Sequence, residues 1–281
     1  MEFIYDDHTV SYIKFGKGPR SLIAFHGFGQ NAGVFYNIEP AIGKQFTVYS
    51  INLFHHAESR YPTYKDPNTP ISPAWHLEWF KLFLAEAGID RFSLMGYSLG
   101  GRVSLMYMQQ MPKQIESMIL LAPDGIKKSF WYHYATQNAR GKKLFNRMVE
   151  RPDLFFKLIR YLRIMGILSK KMEKFTRAQF SDAQRREKVF HVWNAYSQLL
   201  PRVSVTRQTI REYRIPTIIF TGKYDPVLNP QIGSILTQGM DDLINWHVLD
   251  SGHDLLKPSY CDAIYPVLSE KLYTRFDTLN T

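Results

Sequence analysis

The stretch Phe92-Ser93-Leu94-Met95-Gly96-Tyr97-Ser98-Leu99-Gly100-Gly101 restricts the fold of this chain more than any other. Four residues of strand character, Phe92 to Met95, run into a serine flanked by glycines at two positions on either side. Leu99 to Gln110 then read as a helix, stopped by Met111-Pro112. A strand that turns this sharply into a helix holds Ser98 in a strained backbone conformation, its side chain projecting above the sheet. Glycine is needed at 96 and 100 because a Cβ at either place would collide where strand and helix pass closely. A hydroxyl held in this way is placed to act as a nucleophile.

Further strands are expected at Ser21–Phe25, Phe46–Leu53, Ser117–Leu121, Thr217–Thr221 and Trp246–Leu249. Phe3 to Phe15 reads as a hairpin turning at Asp6-Asp7-His8. Ser72-Pro73 has the form of an N-cap with proline at the first helical position, opening a helix over Ala74–Ala87 that Gly88 ends. Residues 54–62 and 67–71 read as loop. A helix capped by Asn229-Pro230 separates the last two strands, and a closing helix covers Tyr260–Tyr273. Short apolar strands alternating with helices predict an α/β fold, a mostly parallel central sheet flanked by helices.

The alternation breaks between Gly125 and Arg214, where only helical patterning is visible. This segment holds 21 of the 35 Lys/Arg but only 6 of the 25 Asp/Glu, so the net charge of +10 belongs to it and not to the rest. The expected organisation is a core of residues 1–124 and 215–281 with an all-helical insertion, a cap, at 125–214. No run is long and apolar enough to span a bilayer. The acidic start, Met-Glu-Phe-Ile-Tyr-Asp-Asp, lacks the basic and apolar regions of a secretory leader. Cys261 is the only cysteine, which excludes an intramolecular disulfide and fits a reducing, cytoplasmic setting.

A serine hydroxyl is a poor nucleophile at neutral pH and needs a base, an orienting acid and oxyanion donors. The base should lie on a loop past the last strand, since loops at the carboxyl ends of parallel strands build the site. His253, in Ser251-Gly252-His253, is so placed. Two carboxylates follow strands at the same end: Asp225, the preferred acid, and Asp124, which has a helix cap as its other reading. Asp254, next to His253 in sequence, cannot easily fold back on that ring. The oxyanion donors should be the amide of Leu99, at the helix start, and that of Phe28, in the loop His26-Gly27-Phe28-Gly29. Tyr97 and His26 adjoin these groups and are candidates for substrate contact. His55 and His56 lack a Cys, Asp or Glu cluster at metal-ligand spacing and read as loop residues, so neither metal nor cofactor is expected.

These motifs together resemble the α/β-hydrolase superfamily, in its capped serine branch of carboxylesterase-like and lipase-like members. The resemblance rests on His26-Gly27-Phe28-Gly29, Gly96-Tyr97-Ser98-Leu99-Gly100-Gly101, Gly222-Lys223-Tyr224-Asp225-Pro226-Val227 and Ser251-Gly252-His253-Asp254. It implies Ser98 as nucleophile, Asp225 as acid, His253 as base, and Phe28 with Leu99 as oxyanion donors. One loop departs from the family pattern D-x-P-G-H-G-x-S: here it reads Asn52-Leu-Phe-His-His-Ala-Glu-Ser59, with both glycines replaced. That loop supports the site, so its divergence bears on substrate shape and not on the triad. Serine as nucleophile argues against the haloalkane dehalogenase and epoxide hydrolase branches, whose pattern places aspartate there.

Within the insertion, Lys157, Arg160 and Arg163 recur every three residues on an otherwise apolar helix, and Lys170, Lys171 and Lys174 follow. The apolar face either roofs an acyl pocket or lies in a membrane interface with its cations at acidic headgroups. The same charge suits steering of an anionic substrate. Nucleic-acid binding is not expected, because the cations are interleaved with aliphatic bulk and no nucleic-acid motif is present. The expected activity is hydrolysis of a small-molecule carboxylic ester with an apolar acyl part. The alternatives are carbon–carbon bond hydrolysis, acyl transfer with the same triad, and ligand binding without turnover.

Overall fold

The computed structural model describes residues 1–61, 69–127 and 130–277. In chain order the elements are β1 (Glu2–Tyr5), β2 (His8–Phe15), β3 (Arg20–Phe25), α1 (Glu39–Ile42), β4 (Phe46–Ile51), α2 (Pro73–Glu86), β5 (Phe92–Tyr97), α3 (Leu99–Gln110) and β6 (Ile115–Leu121). Six helices follow: α4 (Phe130–Gln137), α5 (Ala139–Glu150), α6 (Pro152–Ile164), α7 (Lys170–Gln179), α8 (Ala183–Ala195) and α9 (Val203–Glu212). The chain then returns to the sheet through β7 (Thr217–Gly222), α10 (Ile232–Thr237), β8 (Ile244–Leu249) and α11 (Pro258–Asp277). Among the described residues the sheet has eight strands in the order β1-β2-β4-β3-β5-β6-β7-β8. β1 and β2 join antiparallel, and every pair from β4 to β8 is parallel.

Strand alternation explains why the sheet is covered on both sides. Ile23, Phe25, Leu94 and Leu120 face one cluster, which includes Trp79, Phe80 and Phe83 of α2 and Tyr107 of α3. Leu22, Ala24, Met95, Tyr97, Ile119 and Leu121 face the other, closed by Ile264 and Leu268 of α11. All six residues of β5 are buried, as expected of a central parallel strand. Phe80 is fully buried and stacks on Tyr107 at 3.9 Å between ring centroids; its truncation to alanine should cost ~3–5 kcal/mol.

The insertion has a cluster of its own, built on Phe145, Phe155, Ile159, Phe180 and Val189. Its two ends belong to the main core, where Ile126 at the entry and Val192, Ala195, Tyr196, Leu199 and Ile210 toward the exit are buried. The Tyr196 hydroxyl accepts from the Phe54 N–H at 2.8 Å, and the Ile71 N–H donates to the Ala195 carbonyl. These bonds fix the exit of the insertion to loops at the carboxyl ends of the strands.

Several local expectations are corrected. His8 begins β2 opposite Tyr5, so the hairpin turn is Asp6-Asp7, both at positive φ. β4 ends at Ile51 because Asn52 turns inward, its Oδ1 accepting from Ala32 N–H. Asn229 does not cap α10: its Oδ1 accepts from Gln231 N–H, and the helix starts only at Ile232. The segment Ala32–Ile38, a tight helical turn capped by the Asn31 side chain, had no signal in the hydrophobic pattern. The loops read over 54–62 and 67–71 lie partly outside the described residues. Among the described residues no helix is long and apolar enough to cross a membrane.

Candidate active site

Ser98 joins β5 to α3 with φ 51° and ψ −114°, a conformation that a side-chain-bearing residue adopts only under constraint. The constraint is visible on both sides of the peptide unit. Its N–H donates to the Leu121 carbonyl at 2.9 Å, and its carbonyl accepts from the Gly101 and Asp124 N–H groups, each at 2.9 Å. The glycines allow the close approach: a Cβ on Gly96 would lie 2.5 Å from the Gly100 carbonyl oxygen, and one on Gly100 only 1.9 Å from that of Phe25.

His253 Nε2 lies 3.0 Å from Ser98 Oγ, and its Nδ1 lies 2.7 Å from Asp225 Oδ2. A carboxylate has no proton to give, so Nδ1–H donates to Asp225 and Nε2 is left to accept from the serine hydroxyl. The Asp225 side chain is 2% exposed and that of His253 15%, so the relay is shielded but reachable from its serine end. Asp225 is held by the Val227 and Leu228 N–H groups, which donate to Oδ1 at 2.7 and 2.9 Å. The loops carrying acid and base meet because Gly222 has no side chain; a Cβ there would sit 2.0 Å from the Gly252 carbonyl oxygen.

Asp124 points elsewhere. Its Oδ2 accepts from Arg102 of α3, and its Oδ1 accepts from Gly125 N–H at 2.7 Å. Burial alone would lower the Arg102 pKa, but Asp124 and Tyr132 outweigh it and raise it. The guanidinium also lies over the Tyr132 ring of α4, 4.3 Å from its centroid. This carboxylate therefore balances a buried cation where the chain enters the insertion, and among the described residues it caps no helix, since α4 begins at Phe130.

Leu99 N–H opens α3, where the helix dipole favours negative charge. Phe28 follows β3 in the loop facing it. Among the described residues neither N–H donates to another protein group. The Phe28 side chain packs against both the main core and the insertion cluster.

Tyr97 and His26 differ from expectation, because neither presents a surface to a substrate. Tyr97 is buried, its hydroxyl donates to the His253 carbonyl at 2.9 Å, and burial raises its pKa further above the usual range. It thereby ties the histidine loop to the end of β5. His26 is fully buried, with Nδ1–H donating to the Gly27 carbonyl at 2.7 Å and Nε2 accepting from Leu53 N–H at 3.0 Å. His56, read as a plain loop residue, does the same from the other side. Its Nδ1–H donates to the Phe54 carbonyl at 3.1 Å, and its Nε2 accepts from Gly29 N–H at 3.0 Å. Burial pushes the pKa of His26 down to about 4 and that of His56 to about 2, so both rings stay neutral. Two neutral histidines thus hold the Phe28 loop against the loop after β4. His56 occupies the histidine position of the family pattern D-x-P-G-H-G-x-S, and that match is the sequence signal for this role.

A family model described as alpha/beta hydrolase fold matches residues 20–258. The chain belongs to the α/β hydrolase fold family. A probable 1-acylglycerol-3-phosphate O-acyltransferase of Oryza sativa subsp. japonica is 28% identical over 118 residues, 42% of this chain and 28% of that protein. A pimeloyl-[acyl-carrier protein] methyl ester esterase of Edwardsiella ictaluri (strain 93-146) is 30% identical over 146 residues, 48% of this chain and 52% of that protein. The chain thus spans about half or less of the length of these curated relatives. An α/β hydrolase enzyme from a Medee basin deep-sea metagenome library shares the fold with a TM-score of 0.67 at 14% identity, over 95% of both chains.

Proposed function

We propose that this chain is a serine hydrolase that cleaves a carboxylic ester with an apolar acyl group. The observation that carries the reading is the continuous relay from Ser98 Oγ through His253 to Asp225, at 3.0 and 2.7 Å. His253 Nε2 takes the hydroxyl proton as Ser98 attacks the ester carbonyl. The charge that develops on the carbonyl oxygen is met by the N–H groups of Phe28 and Leu99. His253 then returns the proton to the leaving alcohol and next activates water, which releases the acid and restores the serine. Asp225 holds the imidazole in the required tautomer throughout.

In this reading residues 125–214 form a cap over a core of 1–124 and 215–281. The aromatic and aliphatic interior of that cap, with Phe28 at its boundary, motivates the apolar acyl group. The name of the Edwardsiella ictaluri relative, a methyl ester esterase, agrees with the reaction class. A fluorophosphonate probe should label the protein and fail to label Ser98→Ala. A p-nitrophenyl ester series should then show faster turnover of octanoyl than of acetyl ester; equal rates would remove the apolar-acyl part.

Acyl transfer is the second reading, favoured by the acyltransferase name of the Oryza sativa relative. The same acyl-enzyme serves it, with an acceptor alcohol in place of water. Product analysis in the presence of lysophospholipid separates the two, since transfer yields a diacyl product and hydrolysis a free acid.

A further inference from the structure

The end of α6 and the turn after it expose apolar side chains that the fold leaves uncovered. Tyr161 is 59% exposed, Ile164 74%, Met165 56% and Ile167 62%. They are not the face that packs: Phe155 and Ile159 of the same helix are buried in the insertion cluster. The turn itself is well formed. Gly166 takes φ 72°, and the Ile167 and Leu168 N–H groups both donate to the Leu162 carbonyl. The tip is therefore a built, outward-pointing apolar projection. An isolated exposed leucine or isoleucine needs no explanation, but a contiguous group at one tip does.

Cations flank it on both sides in the chain. Lys157, Arg160, Lys170, Lys171 and Lys174 are all exposed, and residues 151–174 carry seven Lys/Arg against two Asp/Glu. The one local acid on α7, Glu173, is engaged by Arg177 at 2.9 Å and Arg163 at 3.7 Å. The tip also has a fixed relation to the site. Lys171 Nζ lies 5.7 Å from the centroid of the Tyr224 ring, and Tyr224 precedes Asp225. The projection thus stands beside the loop that carries the proposed acid, at the carboxyl ends of the strands.

We propose that this tip docks the protein on an anionic lipid bilayer, with Tyr161, Ile164, Met165 and Ile167 entering the boundary between headgroups and acyl chains. The flanking lysines and arginines then lie at the level of the headgroup phosphates and carboxylates. An acidic protein would satisfy the charge but leaves no reason for an apolar point between flanking cations. A bilayer satisfies both. Docked in this way, the protein faces the membrane with the end that bears Ser98. The docking does not depend on the proposed hydrolase activity.

The test uses the full chain and co-sedimentation with phosphatidylcholine vesicles, with and without phosphatidylserine. Binding is expected to the anionic vesicles and to weaken in high salt. The variant Lys170→Gln/Lys171→Gln should bind about thirtyfold more weakly at low salt. Ile164→Ser/Met165→Ser/Ile167→Ser should lose at least about tenfold under both salt conditions, because its deficit is apolar. Thermal melts establish that each variant is folded. Met165→Trp should show fluorescence quenching by brominated lipid, which reports insertion directly. No binding of the wild type at low salt, undiminished binding of the triple serine variant, or a wild-type dimer that this variant dissolves would each overturn the proposal.

Discussion

The core and the insertion solve the same burial problem to different degrees. In the core, β5 is buried along its whole length, and both faces of the sheet are closed by helices. In the insertion a small, largely aromatic cluster joins helices α4 to α8, while large apolar side chains such as Phe130, Tyr161 and Ile164 remain exposed. The difference follows from charge and spacing. A segment with 21 Lys/Arg cannot bury most of its surface, so its helices offer one apolar face to each other and keep the rest outside. Geometry that chemistry depends on is built into the first region. The second is left freer to meet whatever lies outside the protein.

If that contrast is right, substitutions in the core should be felt first as lost activity. Ser98→Ala should reduce ester turnover by roughly 10⁶-fold with the fold intact, measured with p-nitrophenyl octanoate and a thermal melt. Asp225→Asn should cost ~10⁴-fold, because the amide favours the wrong imidazole tautomer. Asp124→Asn sharpens the comparison between the two carboxylates. It should leave turnover within about tenfold of wild type but destabilise by ~3–5 kcal/mol, since it strands the buried Arg102 guanidinium, read by urea denaturation. A His56→Leu variant should lose about 10–100-fold in kcat as the Phe28 loop loses its clamp. The smallest effect belongs to the insertion: Ile164→Ser should shift stability by less than ~0.5 kcal/mol in solution.

Acid should also separate the regions. Burial lowers the pKa of His26 and His55 to about 4, of His76 to about 3 and of His56 to about 2. In the unfolded chain these groups take up protons near pH 6.5. Their contribution is therefore complete above that pH and is lost as the pH falls from 6.5 toward about 4 for His26 and His55, about 3 for His76 and about 2 for His56, at up to ~1.4 kcal/mol per pH unit for each group. Melting temperatures measured across this window should drop steeply, and His76→Phe should flatten the slope.

Much of this is legible in the sequence alone, for local reasons. The geometry of a strand turning into a helix demands glycine at 96 and 100, and a demand made by backbone contact is written in the sequence itself. The placement of Asp225 and His253 followed from chain order and from the ends of parallel strands. What resisted reading depends on burial and on distant partners. Nothing near Asp124 in sequence says that Arg102 claims it, and nothing near His26 says that both its ring nitrogens are engaged. Ala32–Ile38 was invisible because a tight turn of seven residues has no apolar periodicity to display. The insertion was recognisable as helical, but its division into faces that pack and faces that do not required the fold.

Phe28 packs against two bodies of side chains at once, the main core and the cluster inside the inserted helices. The backbone amide beside that ring is one of the two proposed to meet a charged oxygen. A sideways movement of the inserted helices would tug on the ring and re-aim that amide. In the proposed mechanism, admitting a guest and stabilising its reaction are thus mechanically joined in one phenylalanine, and redesigning the entrance for a bulkier guest should change the chemistry along with it.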